Sequence, residues 1–162
     1  MQTIYLRTKN LTQMRYFTTL LALCGLFLFS CKDKPLSPEE QLQEDIRIIE
    51  QYLTDKNLTA ESTDSGLHYI ITQEGTGGHP SLYSNVKVDY KGYLTDGTVF
   101  DQNTSTFFLA SLITGWQEAI PLLKKGGKGT FLLPSYLGYG PDGVGDIPPN
   151  SVLIFEIELI NF

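Results

Sequence analysis

The stretch VDYKGYLTDGTVFD, residues 88–101, decides the fold of this chain. Apolar side chains at Val86, Val88 and Tyr90 alternate with charged ones, which is the pattern of a strand with one buried face. Asp96-Gly97 follows where the chain must turn back, and glycine supplies the positive φ that a tight hairpin needs. The stretch therefore predicts two neighbouring strands joined by a short turn.

Further strands and one short helix are predicted on either side of this hairpin. Runs at residues 67–72 and 130–133 are rich in β-forming residues, and apolar residues alternate with glutamates near the C-terminus. The helix is expected from Gly115 to about Leu123, and Pro121 should shorten or kink it because proline removes a helix hydrogen bond. One helix against a sheet indicates an α+β domain of about five strands, at residues 66–162.

An amphipathic helix is predicted before this domain, over residues 37–57. Ser37 is a good N-cap, Pro38 suits the first helical position and Glu40 completes a capping box. The apolar stripe of the helix and its charged positions are read from the helical period. The stripe comprises Leu42, Ile46, Ile49 and Leu53, and the charged positions away from it are Glu44, Asp45, Arg47 and Glu50. The stripe can dock on the following domain, pair with a second copy through residues 37–56, or pack on something else. Residues 58–65 are expected to be a linker.

The N-terminal residues have the layout of a secretory signal. Basic residues precede an uncharged apolar run over residues 16–30, which at about fifteen residues is short for a membrane-spanning helix. Leu28-Phe29-Ser30-Cys31 resembles the lipobox of bacterial lipoproteins, in which cleavage leaves a lipidated cysteine. This implies a signal peptide at 1–30, a tether at 31–36 and an exported protein held on a bacterial membrane by lipid at Cys31. The alternative is an ordinary cysteine in an apolar segment.

The charge balance excludes one class of partner. The chain has 12 basic and 18 acidic residues, a net charge of −6. Because nucleic-acid binding depends on neutralising phosphates with Lys and Arg, we expect no nucleic-acid partner.

Five motifs resemble the FKBP family of peptidyl-prolyl isomerases, in the order and approximate spacing of that family, from about residue 62 to the C-terminus. They are VDYKGYL (88–94), DGTVFD (96–101), ITGW (113–116), PSYLGYG (134–140) and IPPNS (147–151). The resemblance implies a bent antiparallel sheet wrapped round a short helix, with a shallow apolar cleft between them. It also implies peptidyl-prolyl cis–trans isomerase activity.

The resemblance assigns residues to this cleft. Trp116 matches the indole beneath a substrate proline, and Asp101 and Tyr139 match polar groups at the rim. The matching walls are Tyr90, Phe100, Leu112, Ile113 and Phe155, with Ile147 on a closing loop. The Ile113 amide and the Tyr139 hydroxyl would bind substrate carbonyls, and Asp101 would orient Tyr90. Each aromatic taken singly could be an ordinary core residue.

The implied reaction needs no cofactor or metal, since rotation about an amide breaks no covalent bond. The expected substrates are proline-containing unfolded or nascent exported polypeptides. The alternative is a proline-binding or holdase module with weak or no isomerase activity.

One departure from the family motivates that alternative. Asp101 is separated from Trp116 by several residues fewer than is typical, so the segment at 102–111 is shortened. Relatives often carry there a basic partner for the aspartate and an aromatic of the cleft. We expect neither in this chain, and therefore a cleft with one open wall.

Overall fold

A computed structural model describes residues 35–162. The predicted signal peptide, Cys31 and nearly all of the tether lie outside the described residues. The elements in chain order are α1 (Pro38–Asp55), β1 (Glu61–Ser62), β2 (His68–Gln73), β3 (Asn85–Leu94), β4 (Val99–Phe108), α2 (Thr114–Ala119), β5 (Lys128–Leu133) and β6 (Leu153–Asn161). Within residues 35–162, no helix is both long enough and apolar enough to cross a membrane.

The strands form one antiparallel sheet in the order β1-β2-β5-β6-β3-β4. The predicted α+β class is confirmed, with six strands where about five were expected. The additional strand is β1, in which Glu61 pairs with Tyr69 and Ser62 with His68 inside the predicted linker. Two residues are too few for an alternating pattern, so their pairing depends on the neighbouring strand.

The inner face of the sheet packs around α2. Leu153, Phe155, Ile157 and Leu159 of β6 all point into the core that contains Trp116, as their alternation predicted. The α-helix ends at Ala119, and Pro121 lies in the 3₁₀ turn that follows at residues 120–122. The short helix predicted from Pro121 is therefore confirmed, because proline cannot continue the α-helical hydrogen bonds.

The N-terminal helix α1 packs on the outer face of the same sheet. Its predicted capping box is present: the Ser37 side chain accepts from the Glu40 amide, and Glu40 accepts from the Ser37 amide. Ile49 and Leu53 are buried in a second apolar cluster, together with Leu132, Val152 and Ile154 of the domain. Of the three fates considered for the apolar stripe, docking is the one observed, and self-association stays a prediction.

Asp45, which was predicted to lie away from the apolar stripe of α1, is nevertheless buried. It is fully buried, and one carboxyl oxygen accepts from the Ser135 amide at 2.8 Å and from the Ser135 hydroxyl at 2.6 Å. The other oxygen accepts from Gln41 Nε2 at 2.8 Å. Asp45 lies three residues after Leu42 and four before Ile49, so the helical period places it at the border of the stripe. Its burial could not be predicted from this spacing alone, because a buried carboxyl is stable only where donors from another segment meet it.

Candidate functional site

A cavity of about 220 Å³ opens between α2 and the inner face of the sheet. Its lining residues are Tyr90, Phe100, Asp101, Phe107, Leu112, Ile113, Trp116, Tyr139 and Phe155. All the predicted cleft residues except Ile147 are among them. Ligand pockets for drug-sized molecules measure roughly 300–1,000 Å³. The cavity therefore suits a small apolar ring whose flanking groups remain outside.

Trp116, on the first turn of α2, is held from three sides by aromatic edges. Its ring lies 4.9 Å from Tyr90, 5.3 Å from Phe155 and 6.0 Å from Phe107, with interplanar angles of 84–88°. Edge-to-face pairs of this kind stabilise a fixed ring orientation. Within the described residues the buried Trp116 Nε1 has no hydrogen-bond partner, an arrangement that usually costs free energy.

The aromatic wall depends on a bulge in β4 and on a glycine in β3. Gly92 pairs with Asp101 and Tyr93 with Val99, which leaves Phe100 as an extra residue on β4. Phe100 meets Phe155 edge to face at 5.6 Å. A Cβ at Gly92 would lie 2.5 Å from Phe100 Cε2 and 2.8 Å from Phe155 Cε1, so only glycine permits this approach.

The polar rim of the cavity is built around Asp101. The Tyr90 hydroxyl donates to Asp101 Oδ2 at 2.6 Å. Burial, followed by this hydrogen bond and the negative charge, raises the pKa of Tyr90. Burial and the Asp101 charge also raise the pKa of Tyr139, which remains 37% exposed at the mouth. Both phenols are consequently neutral donors at physiological pH.

Ile113 contributes a backbone donor beside the indole. It is the N-cap of α2, and its carbonyl accepts from the amides of Trp116 and Gln117 at 3.0 and 3.2 Å. Its own amide donates to no acceptor within residues 35–162. A donor of this kind at the edge of a water-poor cavity is suited to binding a ligand carbonyl.

Phe107 was missed by the sequence analysis, and it corrects the expectation of an open wall. β4 continues without a break to Phe108, and the Phe107 ring lies 6.1 Å from Tyr90. Tyr90 pairs with Asn103, and strand alternation then puts Asp101, Ser105 and Phe107 on the same inner face. Counting residues in twos from Asp101 would have found Phe107. Among the described residues, Asp101 is in none of the ion pairs.

Ile147 is not among the residues that line the cavity, and its predicted place on the loop that closes one side of the cleft stays a prediction. It is only 7% exposed and belongs to the core. Its backbone pairs with Val144 in both directions, which turns the 144–147 loop back on itself and draws its side chain inward.

A second, larger groove of about 410 Å³ lies on the outer face of the sheet. Five of its eleven lining residues are charged, and they are Asp89, Lys91, Lys128, Glu156 and Glu158. An apolar ring would gain little there, so the smaller aromatic cavity is the candidate site. Within residues 35–162, no group of three or more His, Cys, Asp or Glu side chains is arranged to hold a metal ion.

Comparison with known proteins gives consistent matches. The family model described as FKBP-type peptidyl-prolyl cis-trans isomerase matches residues 77–160. The FKBP-type peptidyl-prolyl cis-trans isomerase FkpA of Aeromonas hydrophila is 45% identical, over 68% of this chain and 44% of that protein. The probable FkpA of Neisseria meningitidis serogroup B is also 45% identical, over 62% of this chain and 39% of that protein. This chain thus spans less than half the length of these relatives.

Two solved structures share the fold. A crystal structure of a peptidyl-prolyl cis-trans isomerase from Pseudomonas syringae gives a TM-score of 0.65 at 32% identity, and the match covers 79% of this chain and 97% of that one. The crystal structure of FkpA from Escherichia coli gives a TM-score of 0.66 at 26% identity, and the match covers 97% of this chain and 94% of that one. The family match over half the chain, together with the shared fold, shows that this protein belongs to the FKBP-type peptidyl-prolyl cis-trans isomerase family.

Proposed function

We propose that this protein catalyses cis–trans isomerisation of X-Pro bonds in polypeptides. The observation that carries the proposal is the aromatic cavity floored by Trp116, with the Ile113 amide and the Tyr139 hydroxyl at its edges. Relatives that share this domain are named peptidyl-prolyl cis-trans isomerases.

The chemistry requires a shaped environment and no reactive side chain. The barrier to amide rotation is about 18–20 kcal/mol, because resonance is lost when the C–N bond twists. A site lowers this barrier only if it binds the twisted amide more tightly than either planar isomer. Bringing the proline ring into the aromatic cavity removes the water that stabilises the more polar planar amide.

Fixed donors supply the remaining stabilisation. In the proposal, the Ile113 amide binds the carbonyl next to the proline while the amide twists, and the Tyr139 hydroxyl binds a second carbonyl. Asp101 holds the Tyr90 phenol in place through the 2.6 Å hydrogen bond. These groups are positioned before substrate arrives, so little reorganisation accompanies the reaction.

A protease-coupled assay with an Ala-Xaa-Pro-Phe peptide tests the proposal. We expect the protein to isomerise the peptide faster than solvent alone does, and Tyr139→Phe to reduce this acceleration. The control is Tyr83→Phe, which should leave the rate unchanged because Tyr83 is 77% exposed and lies away from the cavity. Folded protein that binds the peptide without accelerating its isomerisation would refute catalysis and indicate a binding or holdase module.

We also propose that the protein is exported and anchored to a bacterial membrane by lipid on Cys31, where it acts on exported chains. The support is the order of features in residues 1–31: basic residues come first, an apolar run follows, and the run ends in Leu-Phe-Ser-Cys. Metabolic labelling with radioactive palmitate should mark the protein and should be lost in Cys31→Ser. Labelling that persists in that variant, or a protein without label, would contradict the anchor.

A further inference from the structure

β4 is a long edge strand with an open side. Among the described residues it pairs only with β3, and the order β1-β2-β5-β6-β3-β4 places it at the end of the sheet. From Asp101 to Phe108 the register with β3 is uninterrupted. The opposite edge, β1, has only two residues. Sheets usually protect their edges with short strands, bulges, prolines or charges, so a long regular edge is a ready template for another strand.

The exposed part of this edge has none of those protections. Residues 102–106 read Gln-Asn-Thr-Ser-Thr, with no charge, proline or glycine. Their side chains are exposed or half-buried. The bulge at Phe100 lies before this segment and leaves it straight.

The outward amides of the edge can be assigned from the backbone pairing of the sheet. Leu159 exchanges backbone hydrogen bonds with Gly126 and Gly127, so its neighbour Glu158 faces Asp89 of β3, and Asp89 faces away from Thr104. The Thr104 amide therefore points outward, where it donates to Asn103 Oδ1 at 2.8 Å. Because backbone groups alternate in direction along a strand, the outward amides belong to Gln102, Thr104 and Thr106. The amides of Gln102 and Thr106 and the outward carbonyls can pair with one extended segment, and the Thr104 amide joins them once that segment displaces the Asn103 side chain.

The same strand also forms a wall of the cavity. Asp101 and Phe107 line it, one at each end of the exposed segment. A strand added to the edge would lie about 4.8 Å from β4, with alternate side chains on the inner face of the sheet. A chain paired there is therefore beside the cavity mouth.

We propose that the edge of β4 binds the extended segment that flanks the proline of a client polypeptide, by addition of a strand to the sheet. The inference rests on the isomerase function proposed above. Main-chain hydrogen bonds recognise any sequence, and the uncharged edge rejects neither acidic nor basic clients. The proline itself has no amide hydrogen, so it lies where the client leaves the edge and enters the cavity.

The first test is hydrogen exchange in the full chain with a proline peptide extended by six residues on each side. With free peptide at ten times its Kd, the outward amides of Gln102, Thr104 and Thr106 should exchange about tenfold more slowly, and the tetrapeptide should give no such protection. Equal exchange with and without the long peptide would overturn the proposal. Protection that appears without peptide and increases with protein concentration would also overturn it, since a second copy would then occupy the edge.

The second test uses a matched pair of variants. Thr104→Pro removes one outward amide, whereas Thr104→Ala keeps the amide and loses only the side chain. For the extended peptide, Thr104→Pro should raise KM about fivefold, which corresponds to one hydrogen bond of about 1 kcal/mol, and Thr104→Ala should not. Both variants should turn over the tetrapeptide like the unmodified protein. The same KM in both variants would refute edge binding, and if Thr104→Pro does not fold, the exchange experiment decides.

The two proposals fail differently. Loss of tetrapeptide turnover in the unmodified protein would refute the isomerase function. Normal tetrapeptide turnover without protection of β4 would refute edge binding alone.

Discussion

Replacing Asp45 with alanine should be among the most destabilising single changes in this protein. The change removes the acceptor of two buried hydrogen bonds, from the Ser135 amide at 2.8 Å and the Ser135 hydroxyl at 2.6 Å. Both donors stay buried, because Ser135 is 1% exposed. These bonds join α1 to the segment that leads to Tyr139.

The magnitude follows from the two orphaned donors. A buried donor left without a partner costs about 1–3 kcal/mol. Rotation of the hydroxyl towards another acceptor recovers part of this, whereas the backbone amide cannot move. We expect the free energy of unfolding to fall by about 2–4 kcal/mol, out of about 5–15 kcal/mol for a typical domain.

Urea denaturation followed by fluorescence of Trp116, the one tryptophan of the chain, measures the effect. The matched control is Glu50→Ala, an exposed change on the same helix that should stay within about 0.5 kcal/mol. Combining Asp45→Ala with Ser135→Ala should cost less than the sum of the single changes, since both remove the same bond. A loss below about 0.5 kcal/mol for Asp45→Ala, or strict additivity, would show that the carboxyl does not hold α1 in place.

Three further predictions concern the cavity. Gly92→Ala should lower the free energy of unfolding by about 1–3 kcal/mol and reduce kcat/KM in the peptide assay, because the new Cβ would lie 2.5 Å from Phe100. The control Gly78→Ala should change neither quantity, since a Cβ there meets nothing within 4 Å. Phe107→Ala should raise KM about tenfold, because it opens the wall of the cavity. Phe108→Ala should not raise KM, because the Phe108 side chain faces away from the cavity. Equal effects of the two changes would contradict the assigned register. Because the pKa of Tyr90 is raised in the folded protein, the Tyr90 phenol loses its proton in the unfolded chain, above about pH 10, before it does so in the folded protein. Its contribution to stability is then complete below pH 10 and lost as pH rises further, and Tyr90→Phe should flatten that decline in urea titrations; an unchanged slope would rule out this linkage.

Local patterns predicted those elements in which neighbours along the chain determine the structure. The alternation at Val86, Val88 and Tyr90 predicted β3, and the Ser37–Glu40 capping box marked the start of α1. Pro121 indicated that α2 would be short or kinked, although the α-helix ends at Ala119 and not near Leu123. In each case the deciding forces act within a few residues: strand alternation, satisfaction of end amides and loss of one hydrogen bond.

Most of the cavity lining was also predicted, through the ordered motifs that resemble the FKBP family. Phe107 was missed because the shortened 102–111 segment was read as a lost wall, although residues two apart from Asp101 lie on the inner face. Ile147 was assigned to the closing loop because its motif matched, and in the structure it packs in the same apolar cluster as Trp116.

The order of residues alone determined the hairpin, the capped helix and the set of aromatic and polar groups available to a proline site. Tertiary structure decided which of them meet: that Asp45 turns inward to Ser135, that Phe107 completes the ring of aromatics around Trp116, and that β4 becomes an edge. Such outcomes depend on contacts between residues that are distant in the chain, and a local sequence pattern carries no information about the free energy of those contacts. A buried carboxyl or an open strand edge is defined only by what packs beside it.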